Sequence, residues 1–143
     1  MLFNLNLKHI INFLNLYEDL KKEKLPFKLS LILAKNNQII ETEYNFYLEQ
    51  RDQLMDKYFV LDEVSGAYVT LNKEKTVFKI KDGLDQECHD AFKELEEFEV
   101  QVDLRTIPSL MLEDLNFTLE HVEVLSMLLE EEEEIKTVDI VLD

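Results

Sequence analysis

The chain begins with an alternation of apolar and polar residues and then changes to helical spacing. In residues 2–7, leucine and phenylalanine alternate with asparagine, which is the period of two expected for a short strand with one buried face. From Lys8 onward the apolar residues recur every three or four positions, and this spacing predicts an amphipathic helix as far as about Lys24. We expect the lysines of its last turn to favour the helix dipole, and Pro26 to separate it from the next element.

A long segment without glycine or proline, residues 27–61, predicts a second helix. Its apolar residues fit one helical stripe: Leu33, Ile40, Tyr44, Tyr47, Leu54, Tyr58 and Leu61. An unbroken helix of this length would extend for about 50 Å at about 1.5 Å per residue. We expect any break to fall at Asn36-Asn37, because asparagine is a weak helix former.

Three short segments after this helix have the pattern of β-strands. Phe59–Asp62 and Ala67–Leu71 flank a turn in which Gly66 supplies a positive φ, and this arrangement predicts a hairpin. Thr76–Lys81 is predicted to be a third strand, which ends in a turn at Asp82-Gly83.

The last third of the chain combines helical and alternating patterns. One apolar stripe predicts a helix through Leu84, Cys88, Ala91, Phe92 and Leu95. Residues 100–105 alternate and predict a strand, and Pro108 suits the first position of a last helix. The stripe of that helix is Leu112, Leu115, Leu119, Val122, Ser126 and Leu129. We expect residues 130–134 to finish this helix, and residues 137–143 to form a closing strand beside residues 2–7.

Together these elements predict an α+β fold that is mostly helical. A long helical spine and amphipathic helices are expected to pack with a small antiparallel sheet or hairpin. The length of 143 residues, with only two glycines and two prolines, predicts a single domain over 1–143. The apolar fraction of 46% supports a packed core rather than disorder.

The N-terminus and the cysteine content bear on the compartment. The first residues lack the basic flank and the small-residue cleavage site of a signal peptide. Apolar runs reach about five residues, far below the ~20 needed to span a bilayer. Cys88 is the single cysteine, so no intramolecular disulfide can form, and a reducing compartment is favoured. We therefore expect a cytoplasmic protein without a membrane partner.

The charge of the chain is divided unequally between its two parts. Residues 1–81 hold 12 Lys/Arg and 11 Asp/Glu, a net charge of +1, whereas residues 82–143 hold 3 and 20, a net charge of −17. Such a field repels nucleic acid and attracts basic surfaces. We therefore expect a protein partner with a basic surface and no direct nucleic-acid binding, and we interpret the lysines between residues 21 and 35 as solvated helix ends.

The cysteine does not form a recognisable catalytic pair. Cys88 and His89 are adjacent, and neighbouring side chains in a helix point about 100° apart, which is poor geometry for a Cys–His dyad. We expect Cys88 to be a small apolar core residue and His89 to lie at the core boundary.

The other two histidines also lack metal-ligand spacing. His121 has Glu120 and Glu123 near it in sequence, and Glu113 on an adjacent turn, so a carboxylate–imidazole site is one interpretation; a surface histidine on an acidic helix is the favoured one. His9 is expected at a helix start. The sequence has no glycine-rich phosphate loop and no CxxC. We expect no cofactor, no metal and no enzymatic activity.

An acidic run at the predicted end of the last helix is the first candidate for partner binding. Five adjacent negative charges at a helix C-terminus oppose the dipole and repel one another, at a cost of roughly 1 kcal/mol. A solvated helix end is the favoured interpretation, and a role in partner binding is the other one, because the run is locally destabilising. Eight further acids lie in residues 82–99. The candidate partner-binding residues are Glu94, Glu97, Glu130, Glu131, Glu132, Glu133 and Glu134.

The order of the elements resembles a family of small uncharacterised proteins from tailed bacteriophages of low-GC hosts, Gram-positive or similar. The strings that carry the resemblance are the opening Leu-x-Leu, Ile11-Asn12-Phe13-Leu14, Ser65-Gly66, Phe92-Lys93-Glu94-Leu95 and the Val100–Val102 strand. A final acidic helix completes the layout. The resemblance implies a viral setting, in the host cytoplasm or the virion, and it implies no catalytic residues.

Three classes of function follow for testing. The leading hypothesis is a non-enzymatic phage-type protein that acts by protein–protein contact, as a virion or assembly component or an accessory factor. Exposed Phe46 or Tyr47 would extend the contact or mediate homo-oligomerisation. The alternative is an acidic nucleic-acid mimic that inhibits a basic host protein, either a defence protein or a nucleic-acid-processing protein. A hydrolase or metal enzyme is the third class, and it requires a buried carboxylate or histidine cluster in a cleft.

Overall fold

A computed structural model describes residues 1–130 of the protein and shows an α+β fold that is mostly helical. Its helices are α1 (Leu7–Leu20), α2 (Phe27–Tyr58), α3 (Asp85–Glu97) and α4 (Leu119–Leu128), with a short 3₁₀ helix at Ser109–Leu112. The strands are β1 (Leu2–Leu5) and β2 (Val100–Asp103). The long helix α2 is the predicted spine, and α1 packs against it.

One hydrophobic core joins α1, the first half of α2, α4 and the inner face of the sheet. Its buried members are Leu5, Ile10, Phe13, Leu16, Leu20, Leu29, Leu33, Ile40, Val102, Leu104, Ile107, Val124, Leu125 and Leu128. On α1 they recur at three- and four-residue intervals, as the sequence predicts. Because both α2 and α4 cover α1 from the core side, only one face of α1 is left at the surface.

The sheet consists of β1 and β2, paired antiparallel with Leu2 opposite Asp103 and Leu5 opposite Val100. The predicted alternation is confirmed in both strands, because Phe3, Leu5, Val100 and Val102 face the core while the residues between them are exposed. Leu2, at the start of β1, is also exposed. The predicted strand at 137–143 lies outside the described residues. Within residues 1–130, β2 is the neighbour of β1.

Helix α1 begins and ends at positions set by local hydrogen bonds. The Asn6 side chain accepts from the His9 backbone N–H at 3.1 Å, and His9 Nδ1 accepts from the Asn6 N–H at 3.2 Å, which completes a capping box. The predicted end at about Lys24 is wrong, because the helix stops at Leu20 and Lys21 donates the closing hydrogen bond. The lysines therefore follow the helix instead of forming its last turn.

Helix α2 runs without interruption for 32 residues, so the break expected at Asn36-Asn37 does not occur. Asn36 is buried, and its side chain is bonded to an extended segment of the chain. Its amide nitrogen donates to the Arg105 carbonyl at 3.0 Å, and its Oδ1 accepts from the Arg105 N–H at 2.8 Å. This tertiary contact outweighs the weak helix propensity of asparagine. The helix then ends at Tyr58, where Phe59 turns to extended backbone.

The segment 59–81 contains the predicted hairpin and third strand as single-pair bridges. Phe59 lies opposite Ile80, Leu61 opposite Tyr68, and Thr70 opposite Phe78. The backbone hydrogen bonds form a closed ring. The three bonds of that ring run from Val69 N–H to Val60 O, from Lys79 N–H to Val69 O and from Val60 N–H to Lys79 O. Gly66 has φ +74°, as its predicted turn position requires.

The predicted last helix is divided into two pieces. Pro108 precedes the 3₁₀ helix as its N-cap, and Asp114 then adopts a left-handed backbone with φ 64°. This conformation interrupts any helix through 112–119, and Thr118 caps a new start for α4. The end is also earlier than predicted, since α4 stops at Leu128 and Leu129 bridges to Ile107.

Candidate interaction surface

The cysteine and its neighbouring histidine do not form a reactive pair. Cys88 lies in α3 with its side chain buried, as predicted, and burial raises the pKa of its thiol, with a smaller contribution from the charge of Asp85. His89 is exposed. Within residues 1–130, no group of three or more His, Cys, Asp and Glu side chains is arranged to hold a metal ion.

His121 contacts a carboxylate, but not one of those near it in sequence. Its Nε2 lies 2.9 Å from Oδ2 of Asp19 on α1, which is 102 residues away. Its Nδ1 accepts a 3.5 Å hydrogen bond from the Thr118 N–H, so the capping arrangement places the ring proton on Nε2. His121 therefore caps α4 and fixes Asp19 at the same time. His9 occupies the equivalent capping position at the start of α1, as predicted.

The acidic residues between 82 and 130 are surface groups. Residues 82–130 hold 14 Asp/Glu and 2 Lys/Arg, a net charge of −12. All 14 acidic residues are exposed. Among the residues described, Asp103 is the one member of this set in an ion pair, with the N-terminal ammonium at 2.8 Å. The charge predicted from the sequence is thus largely uncompensated at the surface.

Both acidic helices lie against α1. Helix α3 packs on α2 and α1, and α4 packs on α1. A row of polar side chains follows the surface face of α1, and shallow depressions run beside it. One, of about 250 Å³, is lined by Lys8 and Asn12 on α1 and by Glu120 and Glu123 on α4. We call this surface the α1 groove.

The far end of the α1 groove is reached by the end of α3. A depression of about 380 Å³ there is lined by Leu7, Ile11, Glu96 and Glu97. Acids from α3 and from α4 therefore border the same helix, and both depressions include Lys8 and Asn12. Among the lining residues of these two depressions, the basic one is Lys8.

A wider cleft opens at the C-terminal end of α1. It has a volume of about 1250 Å³ and lies between residues 18–25 on one side and residues 114–121 on the other. The Asp19–His121 contact joins its two walls. Asp19, Glu120 and His121 also line the 250 Å³ depression, so the cleft continues into the α1 groove. We call it the α1–α4 cleft.

The structure places the predicted partner-binding residues in different surroundings. Glu94 and Glu97 are exposed on α3, and Glu97 lines the α1 groove. Glu130 is exposed and extended, with its N–H bonded to the Ile107 carbonyl at 3.0 Å, so the prediction that it finishes the last helix is wrong. Residues 131–134 lie outside the described residues.

The sequence did not single out Asp19, Glu96, Glu120 or Glu123 as one surface. Each belongs to an ordinary exposed helix face, and they come together because α3 and α4 both pack on α1. The signal that was available is the polar row on α1, since Lys8, Asn12, Asn15 and Asp19 recur at helical spacing.

The two aromatic candidates on α2 differ in exposure. Phe46 is 54% exposed, whereas Tyr47 is half-buried and stacked on Tyr44 with ring centroids 6.1 Å apart. Burial, followed by the charge of Glu96 on α3, raises the pKa of Tyr47. Phe46 is therefore the better candidate for a contact outside the chain. The lysines at 21–35 are exposed, as predicted.

None of the helices in residues 1–130 combines the length and apolar character required to cross a bilayer. No protein-family model, curated protein or solved structure was found to match the chain.

Proposed function

We propose that the protein acts without catalysis, by using its acidic surface to bind a protein partner that presents a basic surface. The place we propose for it is the host cytoplasm or the virion of a tailed bacteriophage, as a structural component or an accessory factor. The acids of α3 and α4 are the proposed binding groups, and the long helix α2 is the scaffold that holds them.

The observation that carries the proposal is the exposure of all 14 acidic residues between 82 and 130, of which one forms an ion pair within the part of the chain that the structure describes. An acidic surface left without internal counter-charges raises the rate of encounter with a basic partner and disfavours acidic ones. Its negative charges also repel one another and other copies of the protein, and binding to a basic partner would offset this repulsion.

The chemistry of the titratable side chains supports a role in binding. The thiol of Cys88 is buried in α3, and both ring nitrogens of His121 have partners within the chain. A nucleophile and a general base need to face a substrate. The Cys88 thiol does not face solvent, and the ring nitrogens of His121 are both engaged within the chain although the ring lines the α1–α4 cleft.

A nucleic-acid mimic is the second candidate, and one observation favours it. Acids from α3 and from α4 border the same helix α1, with Glu96 and Glu97 in one depression and Glu120 and Glu123 in the other, and both depressions include Lys8 and Asn12. Two acidic edges along one groove are what a basic nucleic-acid-binding surface would require of a mimic. The partner of a mimic is a nucleic-acid enzyme, whereas the partner of a structural component is another virion protein.

The test is affinity capture of the tagged protein from host or infected cells, with bound proteins identified by mass spectrometry after washes at low and high salt. A basic partner released by salt supports the proposal, because salt screens exposed charges beyond about 8 Å at physiological ionic strength. A nucleic-acid enzyme in this fraction identifies a mimic, and virion proteins identify the structural role.

Two matched variants locate the binding groups. Glu94→Gln with Glu97→Gln removes two exposed charges from α3, and Glu41→Gln with Glu49→Gln removes two exposed charges from α2. We expect the first pair to reduce capture of the partner and the second pair to leave it unchanged. A third variant, with residues 130–134 changed to Gln, tests the acidic run. If all three variants capture the same proteins as the parent at low salt, the acidic surface does not bind the partner.

A further inference from the structure

The α1–α4 cleft combines acidic side chains with apolar walls. Leu20 is buried at its base, Leu25, Leu115 and Phe117 are half-buried, and Leu119 is 76% exposed at its edge. A large aliphatic side chain left in water beside a cleft gains free energy when a partner covers it. The cleft therefore offers an apolar contact as well as charge.

The charged residues around this cleft are predominantly negative. Five acids line it against two lysines; the acids are Glu18, Asp19, Glu23, Asp114 and Glu120, and the lysines are Lys22 and Lys24. This balance disfavours phosphate and carboxylate ligands and favours cations. Its volume of about 1250 Å³ exceeds the ~300–1,000 Å³ of small-molecule pockets, so the cleft suits a segment of a protein chain.

One carboxylate in the cleft is held in place. His121 donates from Nε2 to Oδ2 of Asp19, and the imidazole is itself fixed by the Thr118 N–H and by an edge-on contact with Phe117 at 6.5 Å between centroids. Asp19 is nevertheless 62% exposed, so its carboxylate also faces solvent. A carboxylate that is oriented before binding loses less conformational entropy when it accepts a hydrogen bond from a cation.

We propose that the α1–α4 cleft binds a segment of a partner protein that carries lysine or arginine next to a large apolar side chain. The apolar side chain packs against Phe117 and Leu119, and the cationic group binds Asp19 and Glu120. This inference rests on the proposed function and specifies where on the acidic surface the partner is anchored.

The test uses a fluorescein-labelled peptide of 12 residues in which two Leu alternate with two Lys. In a matched peptide, Ser replaces every Leu. Fluorescence anisotropy is measured in about 0.15 M salt, where exposed charges more than ~8 Å apart are largely screened. We expect the Leu/Lys peptide to bind at least about fivefold more tightly than the Ser/Lys peptide, because only its leucines can pack against the apolar wall of the cleft.

Three variants separate the cleft from the general charge. Asp19→Asn with Glu120→Gln is expected to weaken Leu/Lys binding by about tenfold, through the loss of charge-assisted contacts. Leu119→Ser is expected to reduce the affinity for the Leu/Lys peptide to nearly that for the Ser/Lys peptide. The control, Glu41→Gln with Glu49→Gln on α2, removes the same number of charges away from the cleft and should change the affinity by less than about twofold. All of these side chains are exposed, and circular dichroism verifies that each variant folds.

The outcomes distinguish this inference from the proposed function. Equal weakening by the cleft pair and the α2 pair means that the peptide responds to overall charge, which overturns the cleft site while capture of the whole partner still tests the acidic surface. Absence of saturable Leu/Lys binding also overturns the cleft site. The proposed function is overturned by a different result, in which salt does not release the captured proteins and none of the acidic variants reduces their capture.

Discussion

At the scale of single residues, the buried side chain of Asn36 is the most specific link in the fold. It joins the middle of α2 to the chain just after β2 through two hydrogen bonds to the Arg105 backbone. Backbone N–H and C=O groups that are removed from water need a partner. The amide supplies a donor and an acceptor together, which an apolar residue in the same place does not provide.

Asn36→Ala is therefore expected to destabilise the protein by about 2–3 kcal/mol, because the Arg105 backbone loses both hydrogen bonds and a small cavity is left. Asn37→Ala is the matched control on the same helix. It removes a half-buried asparagine with no side-chain hydrogen bond among the described residues, and should be neutral or stabilise by about 0.5 kcal/mol through helix propensity. Urea unfolding followed by circular dichroism measures both. Equal stabilities would show that the Asn36 contact is dispensable.

A second prediction at this scale concerns Tyr68, whose hydroxyl donates to a carboxylate oxygen of Asp56. This hydrogen bond, together with desolvation and the negative charge of Asp56, raises the pKa of Tyr68 to about 12. Because the folded pKa is raised, the contribution of this contact to stability is present below the ordinary tyrosine pKa of 10.0 and is lost as the pH rises towards 12.

The chain has five tyrosines and no tryptophan, so absorbance near 295 nm reports tyrosine ionisation directly. We expect Tyr68→Phe to remove a late step from this titration, and Asp56→Asn to shift that step towards lower pH. A Tyr68→Phe variant that loses a step near the ordinary pKa would contradict the assignment.

At the scale of elements, periodicity predicted where helices occur better than where they begin or end. The apolar spacing of α1 and α3 was sufficient to find both helices, and the alternation in 2–7 and 100–105 found both strands. Spacing alone continues through residues 112–119, however, and the left-handed backbone of Asp114 that interrupts it has no signature in an apolar pattern. The uninterrupted course of α2 also depends on a partner 69 residues away in sequence.

The start of α4 carries a local signal that a pattern of apolar residues does not use. Thr118 accepts from the His121 N–H at 3.2 Å, and the imidazole accepts from the Thr118 N–H in return. Thr118→Ala is expected to cost about 1 kcal/mol through the lost cap, and Thr118→Ser should retain most of it. Thermal unfolding measures both variants. Equal losses in the Ala and Ser variants would mean that the hydroxyl does not cap the helix.

At the scale of the whole molecule, the candidate surface was predictable in charge and not in shape. The sequence alone places most of the negative charge after residue 81, and the exposure of the acids between 82 and 130 follows from the cost of burying unpaired carboxylates. The α1 groove and the α1–α4 cleft depend on the packing of α3 and α4 against α1, which no local pattern encodes. The same packing places like charges near one another, so the fold works against its own electrostatic repulsion.

This repulsion predicts a stability that rises with ionic strength. The whole chain carries a net charge of −16, and the distance over which its charges interact falls from about 30 Å at 0.01 M salt to about 8 Å at 0.15 M. We expect the melting temperature to rise by about 4 °C over this range, which corresponds to roughly 1 kcal/mol for a domain of this size. A variant with Glu94, Glu97, Glu120 and Glu123 changed to Gln should melt at a higher temperature at 0.01 M salt and respond less to added salt. If salt raises the melting temperature of the variant as much as that of the parent, the acids of α3 and α4 are not the source of the repulsion.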